Sequence, residues 1–140
     1  EKAIDYFDFA ATMDLSDIGG NVKHGAHIAS IGGTWMALAY GFAGLRDGGG
    51  RIRFSPRLPD RWEGLSFSLM IRGRRLRIAI DREETTYRLE TGDEIEIAHE
   101  GETLVLSPAE PEMRRANRVV WPTPEPGPDA VDPAIPKETS

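Results

Sequence analysis

The chain has 140 residues, 39% of them hydrophobic, which suits one ordinary domain or two small ones and is typical of a folded soluble protein. Its net charge of -6 argues against a general nucleic-acid binder, and no apolar run approaches the roughly 20 residues that a membrane-spanning helix needs. The absence of cysteine favours a reducing compartment, so we expect a cytoplasmic protein with neither nucleic acid nor membrane as a partner. The chain begins Glu1-Lys2-Ala3 without an initiator methionine, and we interpret it as a fragment of a longer protein.

Apolar residues at helical spacing predict two helices in the first third of the chain. The two apolar stripes consist of Ile4, Phe7 and Ala11, and of Trp35, Leu38, Ala39, Phe42 and Leu45. We predict a first helix over residues 2–13 that is buried against other helices, because it is apolar all round. The second helix is predicted to begin near Ser30 or Thr34 and to end near Leu45. Asp47-Gly48-Gly49-Gly50 then predicts a flexible hinge and a domain boundary.

From Arg51 onward the hydrophobic period falls from about 3.6 to 2, which predicts antiparallel strands with one buried face. The alternating segments are 51–54, 65–72, 75–80, 85–89, 94–98 and 103–107. Arg72-Gly73-Arg74 predicts a tight hairpin, and we interpret the surrounding arginines as its solvated surface. Short strands at this spacing predict a small sandwich over 51–110. Six of the ten prolines lie from Pro122 onward, which predicts a disordered tail over 114–140.

Residues 24–35 combine two histidines, two hydroxyl side chains and a glycine pair at the start of the second helix. An anion could be held there by the imidazole of His27 and by the hydroxyl of Ser30 or Thr34. Free N–H groups at Ile31, Gly32 and Gly33 would add donors, because glycine permits close approach of the backbone and a helix start favours negative charge. We therefore interpret the stretch as a candidate phosphate loop.

Other interpretations of the polar residues stay open. His24 and His27 with Asp14 and Asp17 suggest a metal site, although their spacing matches no familiar ligand pattern. The acids at positions 5, 8, 14 and 17 could serve general acid or base chemistry, but charged helix faces and caps explain them equally well. The glycine pair could simply let a helix pack tightly, with His27 as an interior histidine. The tryptophans at 35 and 62 are expected in a core between domains, and sugar stacking is the alternative.

Several segments occur in a specific order. They are Gly25-Ala26-His27-Ile28-Ala29-Ser30-Ile31-Gly32-Gly33-Thr34-Trp35, Gly41-Phe42-Ala43-Gly44-Leu45-Arg46 and Phe54-Ser55-Pro56-Arg57-Leu58-Pro59, followed by Trp62. In this order and spacing they closely resemble the C-terminal end of glycoside hydrolase family 65, which contains maltose, trehalose, kojibiose and nigerose phosphorylases. The resemblance implies an α+β fragment. Residues 1–47 would be closing helices of a catalytic (α/α)6 barrel, 51–110 a small antiparallel C-terminal β-sandwich domain, and 114–140 a disordered Pro-rich tail.

The resemblance also implies an activity for the parent protein, that of an inverting disaccharide phosphorylase, which is a glycosyltransferase. Inorganic phosphate, as co-substrate and without any cofactor or metal, would attack an α-linked glucose disaccharide and release β-glucose 1-phosphate. By matched position, Ser30, Gly32 and Gly33 would belong to the phosphate loop, with His27 beside it. The general acid, a glutamic acid, would lie on barrel helices outside this sequence, so we expect the fragment alone to be inactive.

A competing hypothesis is a non-catalytic β-sandwich module for carbohydrate binding or packing. Under either hypothesis, apolar helices cut from their surroundings would expose a sticky surface. We therefore expect the isolated chain to aggregate or to form a homodimer.

Overall fold

A computed structural model of the chain describes residues 2–12 and 28–118. Its helices are α1 (Lys2–Thr12) and α2 (Ile28–Met36), with a π-helical segment at Ala37–Phe42 and a 3-10 turn at Gly48–Gly50. Its strands are β1 (Ile52–Phe54), β2 (Leu65–Ile71), β3 (Arg74–Ile80), β4 (Glu84–Thr91), β5 (Ile95–His99), β6 (Glu102–Leu106) and β7 (Glu112–Ala116). Within the described ranges, no helix is both long and apolar enough to cross a bilayer.

The strands form a small β-sandwich, as the alternating pattern predicted. One sheet has the order β1-β5-β6 and the other the order β2-β3-β4-β7. Every pair is antiparallel except β1 with β5, which run parallel with Ile52 beside Ile97. The expectation of antiparallel pairing throughout is therefore wrong at β1. This strand pairs across the whole β2–β4 segment rather than with a hairpin neighbour, and parallel pairing needs a long crossover of this kind.

The core lies between the two sheets and contains the apolar residues of the alternating segments. Its fully buried side chains include Phe54 of β1 and Tyr87 of β4, whose ring centroids are 5.2 Å apart. Apolar residues at every second position of β3, β5 and β6 complete it, namely Leu76, Ile78, Ile80, Ile95, Ile97, Leu104 and Leu106. This is the burial expected when one face of each strand is apolar.

The hairpin between β2 and β3 was predicted correctly. Its turn residues Arg72 and Gly73 have φ angles of 49° and 80°, the two successive positive values of a type I′ turn. The register pairs Ile71 with Arg74 directly across this turn. Arg75 and Arg77 are exposed on the outer face of the sheet, in agreement with a solvated hairpin surface.

Strand β7 extends the larger sheet into the segment that was predicted to be a tail from residue 114. Arg114 and Arg115 pair with Thr86 and Thr85 of β4. The Arg115 side chain also contacts Glu102, with Nε and Oε1 2.8 Å apart. Because β7 is a polar edge strand held by main-chain pairing and ion pairs, it has no apolar alternation that sequence patterns detect. Residues 119–140 lie outside the described part of the chain.

The helices bury much less of their apolar surface than the sandwich does. Of the described α1 residues, Ile4 alone is buried, whereas Tyr6 and Phe9 are 55% and 48% exposed. The predicted burial of this helix on all sides is therefore not found within the described residues. Trp35 is 42% exposed and lies edge-to-face with Tyr40, so it is not the core residue that the sequence suggested.

Trp62 joins the helices to the sandwich, as predicted. It lies in the loop between β1 and β2, with its ring 5.5 Å from that of Phe7 and 4.8 Å from that of Phe42.

Gly44 lies at the connection between the helical segment and β1. Its φ is 63°, and a Cβ built there would come within 2.1 Å of the Ser55 carbonyl oxygen. Only glycine fits this close approach, which fixes the path from the second helix into β1.

Candidate functional site

The predicted phosphate stretch lies partly outside the described residues. His24 and His27 precede the described part of α2, and nothing is described for the side chain of Ser30. Helix α2 includes Ile28, so it begins before both predicted N-caps, Ser30 and Thr34. Gly32 and Gly33 consequently lie inside the helix and not in a loop that precedes it.

This placement changes which backbone N–H groups could meet an anion. In an α-helix the first four N–H groups lack a partner, and each later one bonds to the carbonyl four residues earlier. With Ile28 as the first described residue of α2, the N–H groups of Gly32 and Gly33 point back along the helix toward the carbonyls of Ile28 and Ala29. The N–H groups of Gly32 and Gly33 are therefore not free donors for an anion.

The glycine pair is not explained by tight packing within the described chain. A Cβ built at Gly32 or at Gly33 would meet no heavy atom within 4 Å. In a helix interior, glycine costs about 1 kcal/mol relative to alanine. Contacts within the described residues therefore give no reason for glycine at these two positions.

An apolar groove of about 570 Å³ runs between α1 and α2. It is lined by Ala3, Tyr6, Phe7 and Ala10 of α1, by Gly33, Thr34, Ala37, Gly41 and Phe42 of the second helix, and by Arg57. The π-helical segment that follows α2 widens the helix on this side, with the Ala43 N–H bonded to the Leu38 carbonyl at 2.9 Å. Of the predicted phosphate residues, Gly33 lines this groove.

Arg57 provides the positive charge at the groove, and the sequence interpretation gave it no role. Its guanidinium donates to the Pro56 carbonyl at 2.6 Å and pairs with the Glu100 carboxylate. The Glu100 side chain is only 10% exposed, and Arg118 lies 3.8 Å away from it on another side. The signal for Arg57 was its place in the segment Phe54-Ser55-Pro56-Arg57-Leu58-Pro59, but nothing in the sequence reveals its partner 43 residues later.

Two of the aspartates considered for acid or base chemistry contact an arginine. Arg61 reaches Asp5 at 2.7 Å and Asp8 at 3.5 Å, so these carboxylates tie α1 to the loop before β2. Asp14 and Asp17 lie outside the described residues. In residues 2–12 and 28–118, no three His, Asp or Glu side chains are grouped to hold a metal ion.

A buried polar pair inside the sandwich was also missed by the sequence interpretation. The Tyr87 hydroxyl lies 2.8 Å from Nδ1 of His99, and Nε2 of His99 lies 3.1 Å from the Ala116 carbonyl oxygen. Because a carbonyl only accepts, Nε2 donates to it, and in that tautomer Nδ1 accepts from the Tyr87 hydroxyl. Burial, together with the charge of Glu100, raises the pKa of the Tyr87 phenol. Both ring nitrogens are satisfied, so the pair holds β4, β5 and β7 together rather than offering a reactive group.

Most of the β-sandwich matches a known class of carbohydrate-enzyme domain. Residues 45–106 match the model for the glycosyl hydrolase family 65 C-terminal domain. A solved structure described as a candidate kojibiose phosphorylase from the human microbiome has the same fold, with a TM-score of 0.71 and 24% identity over 81% of this chain and 15% of that one. The match over residues 45–106 confirms the similarity to the C-terminal end of glycoside hydrolase family 65 that was predicted from the sequence.

Two relatives illustrate the enzymes to which the chain is similar. It is 39% identical to an α,α-trehalose phosphorylase of Geobacillus stearothermophilus and 30% identical to a maltose phosphorylase of Bacillus subtilis. The alignments cover 79% and 76% of this chain, respectively. In both cases the chain spans 14% of the relative's length.

Proposed function

We propose that this chain is the C-terminal segment of an inverting disaccharide phosphorylase that uses inorganic phosphate to release β-glucose 1-phosphate from an α-linked glucose disaccharide. The observation that carries the proposal is the family match over residues 45–106. The names of the relatives, trehalose and maltose phosphorylase, support phosphate and a glucose disaccharide as the substrates. The particular disaccharide is not part of the proposal, since those two relatives act on different ones.

In the proposed reaction, phosphate takes the place that an activated water has in an inverting glycosidase. It attacks the anomeric carbon from the face opposite the departing sugar, and a general acid outside this chain protonates the leaving oxygen. Ser30 and the first N–H groups of α2 would hold the phosphate, with His27 beside them. A helix start is suited to this role because its free N–H groups and dipole favour a dianion.

The open space around the glycine pair supports this placement. No side chain within the described residues fills the position beside Gly32 or Gly33, so a ligand or a neighbouring segment of the parent protein can approach the backbone there. Gly33 also lines the groove that Arg57 borders. We propose the glycines as the surface that lets phosphate or sugar come close, and Ser30 as the hydroxyl donor.

We further propose that residues 1–47 are closing helices of an (α/α)6 barrel. Exposed apolar side chains on both helices support this, because a barrel would cover them. They are Tyr6, Phe9, Ile28, Ile31, Trp35 and Met36. Because the general acid would lie on other barrel helices, the isolated chain should be inactive. The expected cytoplasmic location stays a prediction.

The second candidate function is a non-catalytic packing module. This function is favoured by the contacts of Trp62 with Phe7 and Phe42 and by the ion pair of Arg61 with Asp5. These contacts attach the sandwich to the helices, and none of them involves a residue proposed to bind phosphate. The same contacts would exist if the sandwich only stabilised a neighbouring domain. The two candidates differ in whether the start of α2 responds to phosphate.

The deciding experiment uses the full-length protein that contains this chain. Replacing Ser30 with Ala should raise the KM for phosphate by about tenfold or more, since a hydrogen bond to a charged group contributes about 1.5–3 kcal/mol. The KM for the disaccharide should change little. Thr103→Ala, at an exposed hydroxyl residue of β6, is the matched control and should leave both constants unchanged.

An unchanged phosphate KM in Ser30→Ala would contradict the phosphate-loop assignment and favour the packing module. Hydrogen exchange gives an independent measurement: added phosphate should slow exchange of the amides at 28–31 in the full-length protein. The fragment itself should give no glucose 1-phosphate from trehalose, maltose or kojibiose with phosphate. Detection of that product would show that the catalytic acid lies within these 140 residues.

A further inference from the structure

Strand β2 differs from the other edges of the sandwich because it is long and carries no charge. It spans seven residues, Leu65–Ile71, and forms the outer strand of the larger sheet. The β7 edge carries Glu112, Arg114 and Arg115, and the β6 edge contacts β7 through the ion pair of Glu102 with Arg115. Edge strands are normally protected by charge, by shortness or by cover, and an unprotected one pairs readily with another strand.

The remaining edge, β1, has such protection. It is only three residues long, and the Arg53 backbone exchanges hydrogen bonds of 2.8 Å with Arg46 in both directions. For β2, the described main-chain hydrogen bonds run only to β3. Its outer N–H and C=O groups are therefore available within the described part of the chain.

The apolar face of β2 is also incompletely covered. Leu65, Phe67 and Leu69 remain half-buried, although the β3 residues opposite them, Ile80, Ile78 and Leu76, are buried to 3% exposure or less. A further strand beside β2 would remove this remaining apolar surface from water. Within residues 2–12 and 28–118, the outer edge of β2 thus has no main-chain partner, and its apolar side chains are incompletely covered.

The sequence of β2 is symmetric about Phe67, reading Leu65-Ser66-Phe67-Ser68-Leu69. If two copies pair antiparallel about a two-fold axis at Phe67, each residue meets one of its own kind: Phe67 faces Phe67, Ser66 faces Ser68, and Leu65 faces Leu69. Aromatic pairs and hydroxyl pairs across strands are favourable, and no like charges meet. Such an interface is self-complementary, as two-fold symmetry requires.

We propose that the β2 edge is a self-association site that pairs with β2 of a second copy of this chain, in the register centred on Phe67. The two four-stranded sheets then form one continuous eight-stranded sheet. This pairing does not depend on the proposed phosphorylase activity. The sequence led us to expect association through the apolar helices instead. Mutations in β2 and mutations in the helices can distinguish these two association surfaces.

The test measures the mass of the 140-residue chain by sedimentation equilibrium. The chain should be a dimer. The double variants S66K/S68K and S66E/S68E should each raise the dimer dissociation constant about tenfold or more, because like charges would face each other across the new pair of strands. An equimolar mixture of the two should dimerise again, since opposite charges then meet. V105K on β6 is the matched control on another exposed strand position and should remain dimeric.

The helix variant Y6K/I31K separates the two surfaces and should leave the dimer intact. A monomeric wild-type chain, an unaffected S66K/S68K chain, or loss of the dimer in Y6K/I31K would each overturn the proposal.

The register can be tested separately by disulfide crosslinking. The sequence has no cysteine, so an introduced cysteine is the only thiol in the chain. On mild oxidation, S66C mixed with S68C should give a disulfide-linked dimer, whereas S66C alone should not. Equal crosslinking of S66C alone would contradict the register centred on Phe67.

Discussion

The sandwich of this chain buries its large apolar side chains, whereas the helices leave several of theirs exposed. In the sandwich, Phe54, Leu76 and Tyr87 are fully buried, and no side-chain polar atom buried within the described residues lacks a hydrogen-bond partner. In the helices, Tyr6 and Phe9 are about half exposed. The core of the sandwich, to which Ala39 of the π-helical segment also contributes, is therefore closed within these residues, whereas the apolar surface of α1 and α2 is not.

The two regions therefore need different things from their surroundings. A closed core is stabilised by burial that the chain itself provides, at roughly 25 cal/mol for each Å² of apolar surface. Helices with exposed apolar faces gain most of their stability from tertiary packing. The sandwich should thus fold in the isolated chain, and the helices should depend on contact with it or with the rest of the parent protein.

The largest expected effect comes from truncating a phenylalanine in each region. Phe54→Ala removes a ring that is fully buried against Tyr87 and should lower the free energy of unfolding by about 3–5 kcal/mol. Phe9→Ala removes one that is 48% exposed and should cost under about 1 kcal/mol. Urea unfolding of both variants, followed by far-UV circular dichroism, measures the contrast. Similar losses would mean that the helices share the core of the sandwich.

A smaller effect is expected at the connection between the two regions. Gly44→Ala places a Cβ against the Ser55 carbonyl at a φ of 63°, so the backbone must shift and the free energy of unfolding should fall by about 2 kcal/mol or more. Gly41→Ala is the control, because its Cβ would meet nothing within 4 Å. That change should be neutral or should stabilise the helix by up to about 1 kcal/mol. If Gly44→Ala is tolerated as well, the path from helix to sandwich is not fixed at this glycine.

The sandwich could be predicted from the sequence because a half-buried strand has a period of two that the residues display directly. The hairpin at Arg72 and Gly73 could also be predicted from the sequence, because few residue pairs adopt two successive positive φ angles. The parallel pairing of β1 and the existence of β7 could not be predicted. Both depend on partners distant in sequence, and β7 is held by main-chain bonds and ion pairs that no local pattern records.

For the site, the sequence suggested a candidate stretch, but not the backbone geometry of its glycine pair. The glycine pair suggested a loop, whereas Gly32 and Gly33 lie within α2, because helix formation overrides the weak local preference of glycine. The role of Arg57 could not be predicted, since its partner Glu100 comes close only in the folded sandwich. The phosphate role of Ser30 and His27 stays a prediction.

The smallest expected effect concerns the charged contact between the two regions. Arg61 lies 2.7 Å from Asp5 and 3.5 Å from Asp8, but all three side chains are more than half exposed. Exposed ion pairs contribute about 0–1 kcal/mol and are screened by salt, so Arg61→Gln should lower the free energy of unfolding by less than about 1 kcal/mol. Trp62, packed between Phe7 and Phe42, should then provide most of the attachment. Urea unfolding at low salt and in 1 M NaCl, a concentration at which the Debye length is about 3 Å, tests this division. A larger loss that disappears at high salt would mean that charge, rather than aromatic packing, holds the helices on the sandwich.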